Sequence, residues 1–227
     1  MDDARLRAFG PGPSPGYDPA AAVPRTAARV EGTRIKHLDV HLARLAESAA
    51  ALGEAVPWLQ AQAGAIEAWV RESSLLPIEA LRLRLHGAQV WALLEPLPTT
   101  PSPYRLALLL HPFGGIHPLA NHKGLLGSWN LDALKEAQGL GADDALLAAP
   151  DGTLLETAIA SIALETREGF WIPPRQGRVA SLGERLELPA LTRARPVRER
   201  SFRLEDLHEG RLWCFNAVRG VWPGILL

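Results

Sequence analysis

A single cysteine, Cys214, in 227 residues excludes an internal disulfide and suits a reducing compartment. Charge of one sign is lacking as well. Twenty-four basic side chains against 25 acidic ones give a formal net charge of −1, without a long run of either sign. A nucleic-acid or membrane-surface role would need a basic patch or stripe, so neither kind of partner is expected. No stretch approaches 18 uninterrupted apolar residues, and the opening Met-Asp-Asp-Ala-Arg-Leu-Arg lacks a signal-peptide core. A soluble cytoplasmic protein is the expectation. Gly-x-Ser-x-Gly, P-loop and Gly-x-Gly-x-x-Gly motifs are missing too, which removes the commonest hydrolase and nucleotide-binding signatures. What is present is 47% hydrophobic content, ample for a core in one large domain or two small ones.

Proline and glycine punctuate the chain. Residues 10–24 hold too much of both for a regular element and read as an irregular lead-in. Arg25–Val30 and Thr33–Lys36 around Glu31-Gly32 predict a hairpin. Asp39–Leu52 places Leu42, Leu45, Ala49 and Leu52 on one helical face, with Gly53 at the C-cap position. Further helices are expected over about 55–72 and 77–80, then a hairpin of Leu81–Leu85 and Ala88–Leu94. Four prolines between Glu95 and Tyr104 deny that segment a helix and mark an extended linker. The division is therefore a small domain over 1–95, a linker over 96–103 and a larger domain over 104–227. In the latter, Arg105–Leu110, Ala145–Ala149, Leu154–Ile162 and Phe170–Ile172 predict strands, and Asn130 caps a helix over Leu131–Gln138 that Gly139 ends. Strands outnumber helices here, so the class is α+β.

Two residues stand out for chemistry. Lys123 lies in Leu-Ala-Asn-His-Lys-Gly and Glu156 in Asp-Gly-Thr-Leu-Leu-Glu-Thr. An amine and a carboxylate in this order suit pyridoxal 5′-phosphate (PLP) chemistry: the amine condenses with the cofactor aldehyde, and the carboxylate keeps the pyridine nitrogen protonated. An unpaired carboxylate on an apolar strand is otherwise costly. His111, His117 and His122, and the pair His37 and His41, raise a metal reading. None has a nearby carboxylate or thiolate at a familiar zinc spacing, so no metal is expected.

Several segments resemble, in order, the class IV (fold type IV) PLP enzymes: branched-chain and D-amino acid aminotransferases and aminodeoxychorismate lyases. Arg25-Thr-Ala-Ala-Arg-Val-Glu-Gly32 is similar to their first hairpin, and His41-Leu-Ala-Arg-Leu45 to their His-hydrophobic-x-Arg-Leu. His122-Lys123 resembles the cofactor-lysine site, and Ala142–Leu147 with Asp151–Glu156 follow at a spacing like that of the lyases. Trp171-Ile-Pro-Pro174, Leu188–Arg193 and Phe215–Pro223 resemble the later strand end and phosphate-side loops.

The resemblance implies a two-domain D-amino acid aminotransferase-like fold with a shortened N-terminal segment, PLP between the domains, a small-molecule amino substrate and a homodimer. It implies Lys123 as the catalytic, cofactor-bonding amine and Glu156 as partner of the pyridinium. Arg44 would reach the phosphate with paired guanidinium donors. Leu191 and Thr192 would add backbone and hydroxyl donors, and Asn216-Ala217 would close the cup. The implied activity is that of 4-amino-4-deoxychorismate lyase, with an amino acid transaminase or a non-catalytic PLP-fold protein as alternatives. The sequence departs from the family pattern in lacking the Asp-Arg-Gly…Gly-Asp-Gly opening. It also has Ala160-Ser161 for Ser-Asn, Ala190 for a turn glycine, and Phe215 for Ser or Thr.

Overall fold

In the computed structural model, residues 5–13, 16–113 and 117–227 are described. Residues 1–4 of the stretch read for a signal peptide, and residues 14–15 of the irregular lead-in, lie outside them. Two compact units emerge: Met1–Pro98 with His122–Gly127, and Thr99–Asn121 with Ser128–Leu227. The short segment carrying Lys123 thus belongs to the first unit, although the chain on both sides of it builds the second.

The first unit is a five-stranded antiparallel sheet backed by helices. Its strands are β1 (Leu6–Phe9), β2 (Arg25–Glu31), β3 (Arg34–Ile35), β4 (Ile78–His86) and β5 (Gln89–Pro96), in the order β1-β5-β4-β2-β3. Strand β2 alternates, burying Thr26, Ala28 and Val30. Helix α1 (Leu38–Ala50) buries Leu38, Leu42, Leu45 and Ala49 along one stripe, joined in the core by Ile66 and Val70 of α2 (Ala63–Ser73). Each fully buried leucine contributes roughly 1.5–3 kcal/mol, more than helix propensity could supply over this length. Gly53, at φ 78°, turns the chain just past α1.

Two expectations fail here for physical reasons, and one strand was not expected. No helix forms over 77–80. Ile78 opens β4, which pairs with both β2 and β5, and the buried Glu79 carboxylate accepts from Ser74 Oγ and Leu75 N–H while pairing with Arg5. The helix expected over 55–72 starts late, after a turn closed by Leu59 N–H on Val56 O and a 3₁₀ turn over Gln60–Gln62. Strand β1 was not anticipated. Only Phe9 anchors it strongly, edge-on to Trp69 with centroids 5.9 Å apart.

The second unit carries an eight-stranded mixed sheet in the order β11-β10-β9-β12-β13-β6-β7-β8. The ranges are β6 (Tyr104–Leu110), β7 (Asp144–Ala148), β8 (Leu154–Thr157), β9 (Ser161–Thr166), β10 (Gly169–Ile172), β11 (Val197–Glu199), β12 (Arg211–Asn216) and β13 (Gly220–Leu226). Helix α3 (Trp129–Gly139) packs on β6 and β7 through Ala137, while α4 (Leu182–Leu186) and α5 (Leu188–Thr192) are single turns. A core of Tyr104, Leu146, Ile162, Leu164, Trp171, Phe202 and Cys214 fills one side. Among the described residues, no helix is long and apolar enough to cross a membrane.

Two boundaries are corrected in this unit. Ser128, not Asn130, occupies the N-cap of α3, and Asn130 sits in the first turn with its amide donating to Ala158 O at 3.1 Å. The single strand expected over Leu154–Ile162 is two, β8 and β9. Thr157 N–H bonds Ala160 O (2.7 Å), and the Thr157 hydroxyl oxygen accepts from Ile159 and Ala160 N–H. That local competition of a threonine side chain with the ladder ends β8 one residue after Glu156.

Candidate active site

In the first unit the relevant side chains lie on α1 and on the Lys123 segment. Arg44 is buried on α1, one turn after His41. The His41 ring shares a 2.7 Å hydrogen bond between Nδ1 and Thr26 Oγ1. Burial, then the charges of Arg44 and Lys123, lower its pKa to about 3, so the imidazole is neutral at physiological pH. On the next turn, Ser48 Oγ meets His122 Nδ1 at 3.2 Å.

The Lys123 backbone is fastened to the start of β2. Arg25 N–H donates to Lys123 O at 3.0 Å, and Arg25 Nη2 to Gly127 O at 2.9 Å. Gly124 makes this approach possible: its φ is 99°, and an added Cβ would lie 2.3 Å from Val23 O. Burial, with help from the nearby Arg84 and Arg82 charges, lowers the Arg25 pKa to about 10. Even so, Arg25 remains a cation at neutral pH.

In the second unit Glu156 is buried on β8 at the edge of the sheet. Its Oε1 accepts from Val179 N–H at 3.2 Å and faces His111 Nε2 at 3.6 Å. The loop that delivers Val179 is held by Arg178, 1% exposed, which donates to Pro173 O (2.9 Å) and Pro174 O (3.0 Å) and pairs with Glu184. On the neighbouring strand, Asp144 opens β7 fully buried, accepting from Ala145 N–H (2.8 Å) and Tyr104 OH (3.3 Å). Desolvation outweighs those hydrogen bonds and raises the Asp144 pKa to about 6. Burial likewise pushes the Tyr104 phenol and the Cys214 thiol upwards, Asp144 adding to both.

The sequence-derived residues fall into two sets. Arg44 and Lys123 lie in the first unit, and Glu156, Leu191, Thr192, Asn216 and Ala217 in the second. Asn216 is brought close to the Glu156 turn, since its Nδ2 donates to Ile159 O at 3.1 Å. Its Oδ1 accepts from Val218 and Arg219 N–H, so the side chain is committed to the β12–β13 turn. Leu191 and Thr192 end α5, and the Thr192 hydroxyl points back to Pro189 O at 3.4 Å. Sequence reasoning missed Val179 and Arg178, and met His111 only as a possible metal ligand. A main-chain donor such as Val179 N–H leaves no residue-type signal.

These groups fit PLP in chemical kind. A buried guanidinium suits a phosphate dianion, and a buried carboxylate with donors on one oxygen suits a pyridinium. Buried side-chain atoms without a hydrogen-bond partner among the described residues include His41 Nε2 in the first unit and His111 Nε2 and Ser161 Oγ in the second. Each costs about 1–3 kcal/mol unless a polar group meets it.

Comparison with known proteins agrees with this reading of the fold. The amino-transferase class IV family profile matches residues 26–225. The chain therefore belongs to that family, which consists of PLP-dependent enzymes. A fold IV transaminase from Curtobacterium pusillum superposes with a TM-score of 0.77 at 22% identity, covering 90% of this chain and 79% of that one. An aminotransferase from Brucella abortus, bound to PLP, gives 0.75 at 22% identity, with 97% and 90% coverage. A protein provisionally named 4-amino-4-deoxychorismate lyase gives 0.73 at 27% identity, with 88% and 83% coverage. The curated proteins provide no significant match.

Proposed function

We propose that the chain is a 4-amino-4-deoxychorismate lyase, eliminating pyruvate from its substrate to leave 4-aminobenzoate, a folate precursor. The observation that carries the site assignment is Glu156, buried on an edge strand with both neighbouring nitrogens on Oε1. Lys123 is the residue that bonds the cofactor and moves protons at Nζ. Arg44, Leu191, Thr192 and the backbone of Asn216-Ala217 hold the phosphate, and the two units act as small and larger cofactor-binding domains. PLP, when bound, supplies an electron sink for the substrate carbon. Glu156 keeps the proton on the ring nitrogen, and the Lys123 amine takes one proton from the substrate and returns one to the leaving fragment.

Elimination is favoured over transamination by the state of the arginines. A transaminase must hold the carboxylate of an acceptor keto acid. Of the three candidates in the sequence, Arg25, Arg29 and Arg219, Arg25 is engaged by Gly127 O and Arg29 by Glu31 at 2.9 Å, which leaves Arg219 for that task. The similarity to a protein provisionally named as the lyase points the same way. The same reading makes the protein a cytoplasmic homodimer.

Purified protein incubated with PLP is expected to show the visible absorption of lysine-bound cofactor, and Lys123→Ala to lose it. Pyruvate should then appear from aminodeoxychorismate without added keto acid, and amino exchange with 2-oxoglutarate should be negligible. Colourless wild-type protein would end the PLP-site assignment. Rapid amino transfer without pyruvate release would replace the lyase by a transaminase.

A further inference from the structure

His111 has a geometry that neither the fold nor the family match requires. It follows β6, its backbone N–H bonding Ala148 O at 2.8 Å, and its side chain is buried. Two aromatic rings meet it at steep angles, Trp129 at 4.7 Å and Phe113 at 6.2 Å between centroids. These contacts fix the plane of the imidazole. The Phe113 N–H donates to Nδ1 at 3.3 Å, which requires a lone pair there and leaves the ring proton on Nε2. Nε2 is the nitrogen that faces Glu156 Oε1 at 3.6 Å, and it has no hydrogen-bond partner among the described residues.

We propose that His111 is a positioning residue for Glu156, donating through Nε2–H to Oε1 so that Oε2 is presented to the cofactor's ring nitrogen. The inference rests on the assignment of Glu156 above and extends it to a residue outside the cofactor's contacts. Val179 N–H and His111 Nε2 both address Oε1, and Oε2 has no donor among the described residues. A carboxylate pinned by one oxygen cannot rotate freely, so its other oxygen has a fixed direction. The 3.6 Å separation is slightly long for a hydrogen bond, as catalytic contacts often are before the ligand closes them. Protonation of the ring nitrogen draws the carboxylate charge towards Oε2, and a donor on Oε1 keeps that carboxylate from taking the proton itself.

The test compares PLP with its carbocyclic analogue, in which the ring nitrogen is replaced by CH. His111→Phe should weaken PLP binding ~10-fold, the scale of one lost hydrogen bond to a charged group, while the analogue's affinity changes less than ~2-fold. His111→Gln, whose amide can still donate, should restore most of the PLP affinity. A purely structural role would weaken both ligands equally, and that result would overturn the proposal. Glu156→Gln is the control: it should also discriminate PLP from the analogue. If it does not, the assignment of Glu156 fails. If it does while His111→Phe leaves the ratio unchanged, only the role of His111 fails. Independently of any variant, ring ¹⁵N shifts of wild-type protein should report the Nε2–H tautomer at His111. The Nδ1–H tautomer would refute the proposal.

Discussion

Replacing Asp144 by asparagine should stabilise the protein at neutral pH and do almost nothing in acid. Asp144 is fully buried, and its pKa is raised from 3.8 to about 6 by burial, against hydrogen bonds from Thr157, Ala145 N–H and Tyr104. A carboxyl whose folded pKa lies above its unfolded one contributes fully below the unfolded value and loses that contribution as pH rises through the folded value. Below about pH 4 both states hold the proton. Between there and about pH 6 the unfolded chain releases it first and stability falls. Above about pH 6 the loss levels off. The gap is about two pH units at ~1.4 kcal/mol each, or ~3 kcal/mol. Asparagine keeps an oxygen for Ala145 N–H and adds an amide able to donate to Tyr104, without the ionisation. The variant's advantage should therefore grow from near zero at pH 4 to ~3 kcal/mol at pH 8, or ~6–12 °C in Tm for a chain of this size. Paired urea titrations and thermal melts across that range measure it, since other titrating groups cancel between variant and wild type. An offset that stays constant with pH, or one that shrinks as pH rises, would refute the reasoning.

Gly124→Ala should destabilise by at least ~2 kcal/mol in urea titration, because alanine must adopt φ 99° with Cβ against Val23 O; a cost under half of that would mean the Lys123 segment docks differently. Arg178→Met should cost ~3 kcal/mol by leaving the buried Glu184 carboxylate only the exposed Arg175 as a partner, and Arg178→Met with Glu184→Gln should recover part of it; equal stability of the single and double variants would contradict the pairing. Cys214, fully buried with its thiol pKa pushed up, should react with a thiol reagent only as fast as the protein unfolds, so rapid labelling of native protein would show that the core around it is open.

The sequence was most legible where one face of an element meets a core. The stripe of Leu42, Leu45 and Ala49 announced α1, and His86-Gly87 between two apolar runs announced the hairpin of β4 and β5. It was least legible where a single side chain overrules a pattern. The β8–β9 turn has no glycine or proline, because the Thr157 hydroxyl supplies the contacts that close it. Glu79 looks like a helical residue until its buried carboxylate is seen capping the turn from α2. Strand β1 is four residues long and gains its place from pairing with β5, a long-range contact that local pattern cannot reveal. In the candidate site, the side chains with charge were visible in order along the chain. Their supports were not, because Val179 contributes a main-chain N–H and His111 acts by ring orientation.

The excursion of His122–Gly127 into the first unit limits how this protein can be taken apart. A fragment ending at Pro98 would contain every strand and helix of that unit yet lack the Lys123 carbonyl that receives Arg25 N–H and the Gly127 carbonyl that receives its guanidinium. Supplying the remainder as a second polypeptide would restore both, so the two halves are candidates for complementation rather than for independent expression. Nicking after Asn121 and Gly127 would be the cleaner dissection: it would release a six-residue peptide whose rebinding reports, without any enzymatic assay, how firmly the Lys123 segment is seated.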